Sequence, residues 1–147
     1  MDICTAFNRA FERKEIEHWD KIYVLIDIHD TIFEGSYSDD EKFIAYKWAI
    51  EALQMMSVSK EISLILWTST YEEKTKVYVD YLSKYGIKFD MINENPEVSN
   101  TSLGCFDKKL YFNVGIDDKF GFNPNTDWRK ICRYFFERYD KNIDLYI

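Results

Sequence analysis

The side chains able to do chemistry gather at three places in the 147-residue chain. Asp27, His29, Asp30 and Thr31 close one apolar run, Thr68, Ser69 and Thr70 close a second, and Asp117 with Asp118 close a third. Carboxylates brought together from separate segments repel one another and resist ionisation, so such a cluster ordinarily holds a hard cation. Magnesium suits it, because it takes oxygen ligands and keeps several waters, which matches phosphate-bearing substrates. Each piece also has a plain use: a lone Asp at a strand end caps a helix or forms a turn, and a pair such as Asp39 and Asp40 is usually solvated.

These residues need elements that carry them to one edge. KIYVLIDI, residues 21–28, and EISLILWTST, residues 61–70, are nearly unbroken apolar runs, as expected of parallel strands buried on both faces. IKFDMIN and KLYFNVGI predict two further strands, and the terminal NIDLYI an edge strand. Helices are expected over residues 3–18, along the stripe Ala45, Trp48, Ala49, Ala52, Leu53 and Met56, through Tyr78, Tyr81, Leu82 and Tyr85, and through Trp128, Ile131, Cys132 and Phe135. Ser38 with Glu41, and Thr70 with Glu73, have capping-box spacing, and Gly86 fits a left-handed helix end. The alternation predicts one α/β domain over residues 1–147, with residues 1–20 forming an N-terminal helix. Its sheet should be mostly parallel, with helices on both faces, in a three-layer Rossmann-like sandwich. In such sheets ligands bind beyond the carboxyl ends of the strands, where the three polar clusters fall.

LIDIHDTIF, residues 25–33, resembles the first motif of the haloacid dehalogenase (HAD) superfamily of phosphohydrolases, an apolar strand ending in Asp-x-Asp-x-Thr. Asp27 and Thr31 match it, and His29 stands in place of the second Asp. LILWTST resembles the second motif, with Thr68 as its hydroxyl. Lys109 resembles the third-motif lysine, with Lys108 as its rival, and Asp117 and Asp118 resemble the acids of the fourth. The resemblance runs from about residue 21 to 128, and YGIKFDMINENP and KKLYFNVGIDDKFGF are similar to segments of small, capless members found in bacteria and their phages.

That resemblance implies a magnesium-dependent phosphohydrolase or phosphotransferase. Asp27 would attack phosphorus and form an aspartyl-phosphate. Thr31, Thr68, Ser69 and Lys109 would bind the phosphoryl group, and Lys109 would also neutralise charge on nucleophile and phosphate. Asp27, the backbone carbonyl of His29, Asp117 and Asp118 would hold Mg2+. His29 occupies the acid/base position, where imidazole, with a reference pKa of ~6.5, can serve in either role near neutrality. The alternative is a catalytically impaired relative that binds metal or phosphate or serves as an interaction module. A signalling receiver domain, a third reading, expects an early acidic pair that this chain lacks. Only residues 34–60 separate the first two motifs and 71–108 the next two, which leaves no room for a cap domain. An open site admits a phosphorylated small molecule or the phosphorylated end of a macromolecule, and can be covered by a neighbouring subunit in a homo-oligomer. The loop of residues 94–107 is the expected lid. Phe33, Tyr37, Phe120 and Phe122 flank the site in sequence.

Composition narrows the classes. Nineteen basic against 26 acidic side chains give a net charge of −7, which disfavours coating a nucleic-acid duplex. Cys4, Cys105 and Cys132 are too far apart for a CxxC metal or redox site and are expected as buried free thiols in a reducing compartment. The charged N-terminal stretch fits neither a signal peptide nor a membrane span, so a cytoplasmic protein is expected. Twenty-six aromatic residues against eight leucines mean that rings must fill much of the core, among them Tyr23, Trp48, Tyr81, Phe89, Tyr111, Trp128 and Phe135. His18, in a charged helical stretch, should face solvent.

Overall fold

The computed structural model describes residues 2–35 and 43–139. Its elements, in chain order, are α1 (Ile3–Glu17), β1 (Ile22–Ile26), α2 (Ala49–Val58), β2 (Ile62–Leu66), α3 (Glu72–Ser83), β3 (Met91–Ile92), β4 (Val114–Ile116) and α4 (Asp127–Tyr139), with a single 3-10 turn at Asp118–Phe120. The strands form an all-parallel sheet in the order β3-β2-β1-β4. This is an α/β, Rossmann-like three-layer sandwich, but among the described residues the helices pack on one face of the sheet and the expected helix layer on the other is replaced by the chain between β3 and β4. Strand order runs outward from β1 through β2 to β3, then returns to the other side of β1 for β4. The switch point, where ligands bind in open sheets of this kind, therefore lies between β1 and β4.

Side-chain alternation divides the sheet into two faces. Ile22, Val24 and Ile26 of β1, with Ile62, Leu64 and Leu66 of β2, join the larger core, to which all four helices contribute buried residues. Leu25, Ile65 and Met91 point the other way into a smaller cluster completed by Tyr23, Leu110 and Phe112. Among the described residues, that second face is thus covered by chain between β3 and β4 and not by a helix. At roughly 25 cal/mol per Å² of apolar surface, the larger cluster supplies most of the burial energy.

The helix ends show where local signals hold and where they yield. Asp2 caps α1, its carboxylate accepting from Cys4 N–H at 2.8 Å, and the exposed His18 takes the left-handed position at the other end, φ 57°. Gly86 adopts φ 78°, and Ile87 N–H reaches back to Leu82 C=O, as a glycine-terminated helix requires. The Thr70–Glu73 box does not form: Tyr71 is the N-cap of α3 and makes no side-chain cap bond, because Thr70 is engaged with Thr68. The helix α2 begins at Ala49, after Trp48 in a left-handed conformation. Ser38, Glu41, Tyr37, the Asp39–Asp40 pair and the terminal NIDLYI lie outside the described residues.

Other expectations are corrected. Only Val114–Ile116 of KLYFNVGI pairs as strand, because Asn113 turns its side chain to Tyr23: Asn113 Oδ1 accepts from Tyr23 N–H at 2.8 Å, and Asn113 N–H donates to Tyr23 C=O. The 94–107 loop does not lie over the carboxyl ends of the strands. Glu97 is held by Lys21 and Tyr23, both at 2.8 Å, which fastens the loop at the amino end of β1. Cys105 is exposed, Cys4 half-buried and Cys132 buried, all as free thiols. Of the rings assigned to the core, Trp128 and Phe135 are fully buried, while Tyr23, Trp48, Tyr81, Phe89 and Tyr111 are half-buried. Phe7, Phe11 and Phe33 take the deep positions with them.

Candidate active site at the sheet switch point

Three carboxylates meet at the carboxyl ends of β1 and β4. Asp27, Asp117 and Asp118 each place an oxygen within 4.8 Å of the others. Topology produces this. Asp27 N–H donates to Ile116 C=O at 3.0 Å, which continues the β1–β4 ladder one residue beyond its regular end and sets Asp27 beside Asp117. Asp117 then caps the 3-10 turn, its Oδ1 accepting from Lys119 N–H at 2.9 Å, and the turn carries Asp118 back to the cluster.

Thr31 organises the acids from below. Its hydroxyl lies 3.3 Å from Asp27 Oδ2 and 3.4 Å from Asp118 Oδ1, and it accepts from Asp118 N–H at 3.2 Å. One hydroxyl hydrogen serves only one of the two carboxylates at a time. Thr31 is wholly buried and its hydroxyl is turned to the acids, an arrangement that positions them. Its carbonyl accepts from the indole N–H of buried Trp128 at 2.7 Å, which ties the loop after β1 to α4.

The acids are costly to ionise together. Burial, followed by the charge of Asp117, raises the Asp27 carboxyl from 3.8 to about 7, against the opposing bonds from Ile28 N–H and Thr31. Burial likewise raises Asp117. Among the described residues no lysine or arginine forms an ion pair with any of the three. Lys119 donates its N–H to Asp117 and its charge favours that carboxylate, yet burial still leaves Asp117 raised, and a set of hard oxygen donors without an ion pair fits a divalent cation such as magnesium. Asp27, Asp117 and Asp118 are the residues that would hold it.

The other candidates lie apart from this cluster. The His29 imidazole rests edge-on against Tyr78, its Nε2 3.1 Å from the Tyr78 hydroxyl. Asp30 adopts φ 57° and accepts from Gly35 N–H at 2.9 Å. Thr68 is bound internally: its hydroxyl accepts from Thr70 N–H at 3.1 Å and donates to Thr70 Oγ1 at 2.9 Å. Its backbone is clamped by Asn93, whose amide accepts from Thr68 N–H at 2.8 Å and donates to Thr68 C=O at 2.9 Å. Ser69 is exposed. Lys109 is also exposed, lining a cleft with Gly104, Cys105, Phe106 and Tyr111 on the segment that approaches the amino end of β4. Of the flanking rings, Phe33 and Phe122 are buried in the core and Phe120 is 59% exposed. Neither Asn93 nor Tyr78 stands out in the sequence as a partner. An Asn at a strand end is a usable signal for the first, but the second is a contact across 49 residues with no local signature.

No family model matches the chain, and no curated protein matches it. A solved structure, described as the conserved protein coded by a locus from Bacteroides thetaiotaomicron, is similar in fold. It is 23% identical, with a TM-score of 0.61, over 84% of this chain and 99% of that one. The likeness supports the α/β architecture. Among the described residues no helix is long and apolar enough to cross a membrane.

Proposed function

We propose that the chain is a magnesium-dependent phosphohydrolase or phosphotransferase of the HAD type, acting through Asp27 on a phosphorylated small molecule or a phosphorylated macromolecular end. The observation that supports it is the meeting of Asp27, Asp117 and Asp118 within 4.8 Å at the switch point of a parallel sheet. A carboxylate oxygen of Asp27 attacks phosphorus, the ester P–O bond breaks, and the leaving alkoxide takes a proton from solvent water at the open site, a proton that the attacking water returns to solvent in the second step. Water then attacks the phosphorus of the aspartyl-phosphate, releasing inorganic phosphate and restoring the carboxylate. Asp117 and Asp118, with Asp27, would hold the cation, and Thr31 keeps the oxygens of Asp27 and Asp118 in register. A magnesium ion bound there supplies the positive charge that lets a carboxylate approach a phosphate dianion.

One observation favours a second reading, a domain that binds metal or phosphate with impaired turnover. His29, in the acid/base position, is occupied by Tyr78, and Lys109 forms no ion pair with Asp27. The two separate in one assay of wild type, Asp27→Asn and His29→Asp with an aryl phosphate and magnesium, following both alcohol release and covalent phosphoenzyme. Magnesium-dependent turnover that disappears in Asp27→Asn supports the enzyme. A stable phosphoenzyme without turnover, relieved in His29→Asp, supports impaired hydrolysis. A wild type that neither turns over nor binds magnesium refutes the enzyme, and one that also fails to bind inorganic phosphate refutes the second reading.

A further inference from the structure

The ladder bonds at the carboxyl edge continue in step across the whole sheet. Asn93 N–H donates to Leu66 C=O, Trp67 N–H to Ile26 C=O and Asp27 N–H to Ile116 C=O. Since β2 pairs with β1 as Leu66 with Ile26, and β3 with β2 as Ile92 with Leu66, the next positions form one row: Asn93, Trp67, Asp27, Asp117. Alternation puts that row on the face bearing Leu25, Ile65 and Met91, the one without helices. Neighbouring strands lie about 4.8 Å apart, so Trp67 is the immediate lateral neighbour of Asp27 on the same face.

Trp67 is unusual for a residue that directly follows a fully buried strand. The residue is 39% exposed, and among the described residues no ring contact or hydrogen-bond acceptor is found for its indole. Its backbone, by contrast, is fixed on both sides, by Ile26 and by the Asn93 clamp on Thr68. A large aromatic side chain on a rigid strand end, open on its face and beside the nucleophile, is a platform for a flat group. Phe120, stacked on Phe112 over Gly115, bounds the same face on the far side of the acids.

We propose that Trp67 is a specificity-determining residue, an aromatic ledge that selects phosphomonoesters whose alcohol carries a planar ring. The inference rests on the reading of Asp27 as the phosphate site and adds the substrate class. A ring stacked on the indole replaces water on an apolar surface that the fold leaves open. The free indole N–H can donate to an acceptor on the substrate. Stacking of a base on an aromatic side chain typically strengthens binding severalfold to a hundredfold, so the preference for ring-bearing over ringless substrates should be on the order of tenfold.

The test measures equilibrium binding, with magnesium, of a nucleoside 5′-monophosphate, phenyl phosphate and ringless glycerol phosphate to wild type, Trp67→Phe and Trp67→Leu, with turnover followed in parallel. Wild type should prefer the ring-bearing compounds on the order of tenfold, Trp67→Leu should bring that ratio close to one, and Trp67→Phe should keep most of it. The nucleotide and aryl arms tell whether the ring sits one sugar away from the phosphate or directly on it. An unchanged ratio in Trp67→Leu, or no ring preference in wild type, overturns the proposal. Ring preference that depends on Trp67 without any turnover keeps the ledge and refutes the catalytic reading, so the two fail separately.

Discussion

Replacing Asp27 with Asn should stabilise the metal-free protein at neutral pH, although it removes the proposed nucleophile. The Asp27 carboxyl is raised from 3.8 to about 7, first by burial and then by Asp117. At about 1.4 kcal/mol per tenfold change in proton affinity, that displacement corresponds to roughly 4 kcal/mol. Solvent at the half-buried site screens part of it, leaving about 2 kcal/mol. The sign follows from proton binding. Between about pH 4 and pH 7 the folded protein holds the Asp27 proton and the unfolded chain does not, so stability falls as pH rises through this window and levels off above it. The amide of the Asp27→Asn variant carries no proton to lose, and its oxygen can still accept from Thr31. The difference in stability, variant minus wild type, should therefore grow from near zero at about pH 4 to about 2 kcal/mol at about pH 7.5, or roughly 4–8 °C in Tm. Circular-dichroism melts in EDTA across that range measure it. Magnesium should raise the wild-type Tm increasingly with pH and leave Asp27→Asn much less affected. A difference curve that is flat with pH would refute the account of Asp27 as a strained acid.

Two further outcomes concern Thr31 within the site and Arg138 outside it. Thr31→Val keeps the buried shape but removes the hydroxyl that meets Asp27, Asp118 and the Asp118 N–H. Magnesium affinity by calorimetric titration should fall about tenfold, as for other residues that orient ligands, with a stability loss of about 1–2 kcal/mol; unchanged affinity would deny Thr31 a positioning role. Far from the site, Arg138 donates to both oxygens of Glu61 at 3.0 and 2.9 Å and holds that carboxyl at about 2. A depressed folded-state pKa contributes stability above about pH 4.5 that is lost as pH falls toward about 2. Arg138→Leu should therefore cost about 1–2 kcal/mol at neutral pH after allowance for solvent screening, and urea melts at falling pH should show a shallower acid decline.

The sequence made the sheet legible wherever burial was two-sided. The runs at Ile22–Ile26 and Ile62–Leu66 are apolar at nearly every position because both faces are covered, and they became the central strands. Legibility failed where a side chain took over a backbone role. Asn113 replaces the ladder at the start of β4, which shortens the strand, and the Thr68 hydroxyl captures Thr70 N–H, which undoes the capping box. The candidate site divides in the same way. Asp27, Asp117 and Asp118 were readable because strand ends converge by topology. The surroundings of His29 and Lys109 depend on Tyr78 and on the course of the 94–112 segment, and no local spacing encodes either.

The arrangement of charge at the site bears on what kind of residue Asp27 is. A buried structural carboxylate is normally compensated by a nearby arginine, a lysine or several backbone donors. Glu61 shows that this chain can build such compensation, with Arg138, Tyr139 and Lys14 all arranged around it. At the switch point the compensation is slighter: Ile28 N–H donates to Asp27, and Lys119 contributes its N–H and its charge to Asp117, but with Asp117 buried and Asp27 set against it both carboxyls stay raised. The acids thus lower stability in the metal-free state by an amount that binding of a cation would recover. Their positions are fixed mainly by a threonine, a tryptophan indole, the sheet ladder and the Lys119 N–H, and no ion pair among the described residues neutralises them. Geometry fixed by neutral groups, with the charge left open, is the pattern expected of a site completed by a ligand. It is also why the Asp27→Asn melting curve, with and without magnesium, is the most direct measurement of whether this site is built to bind.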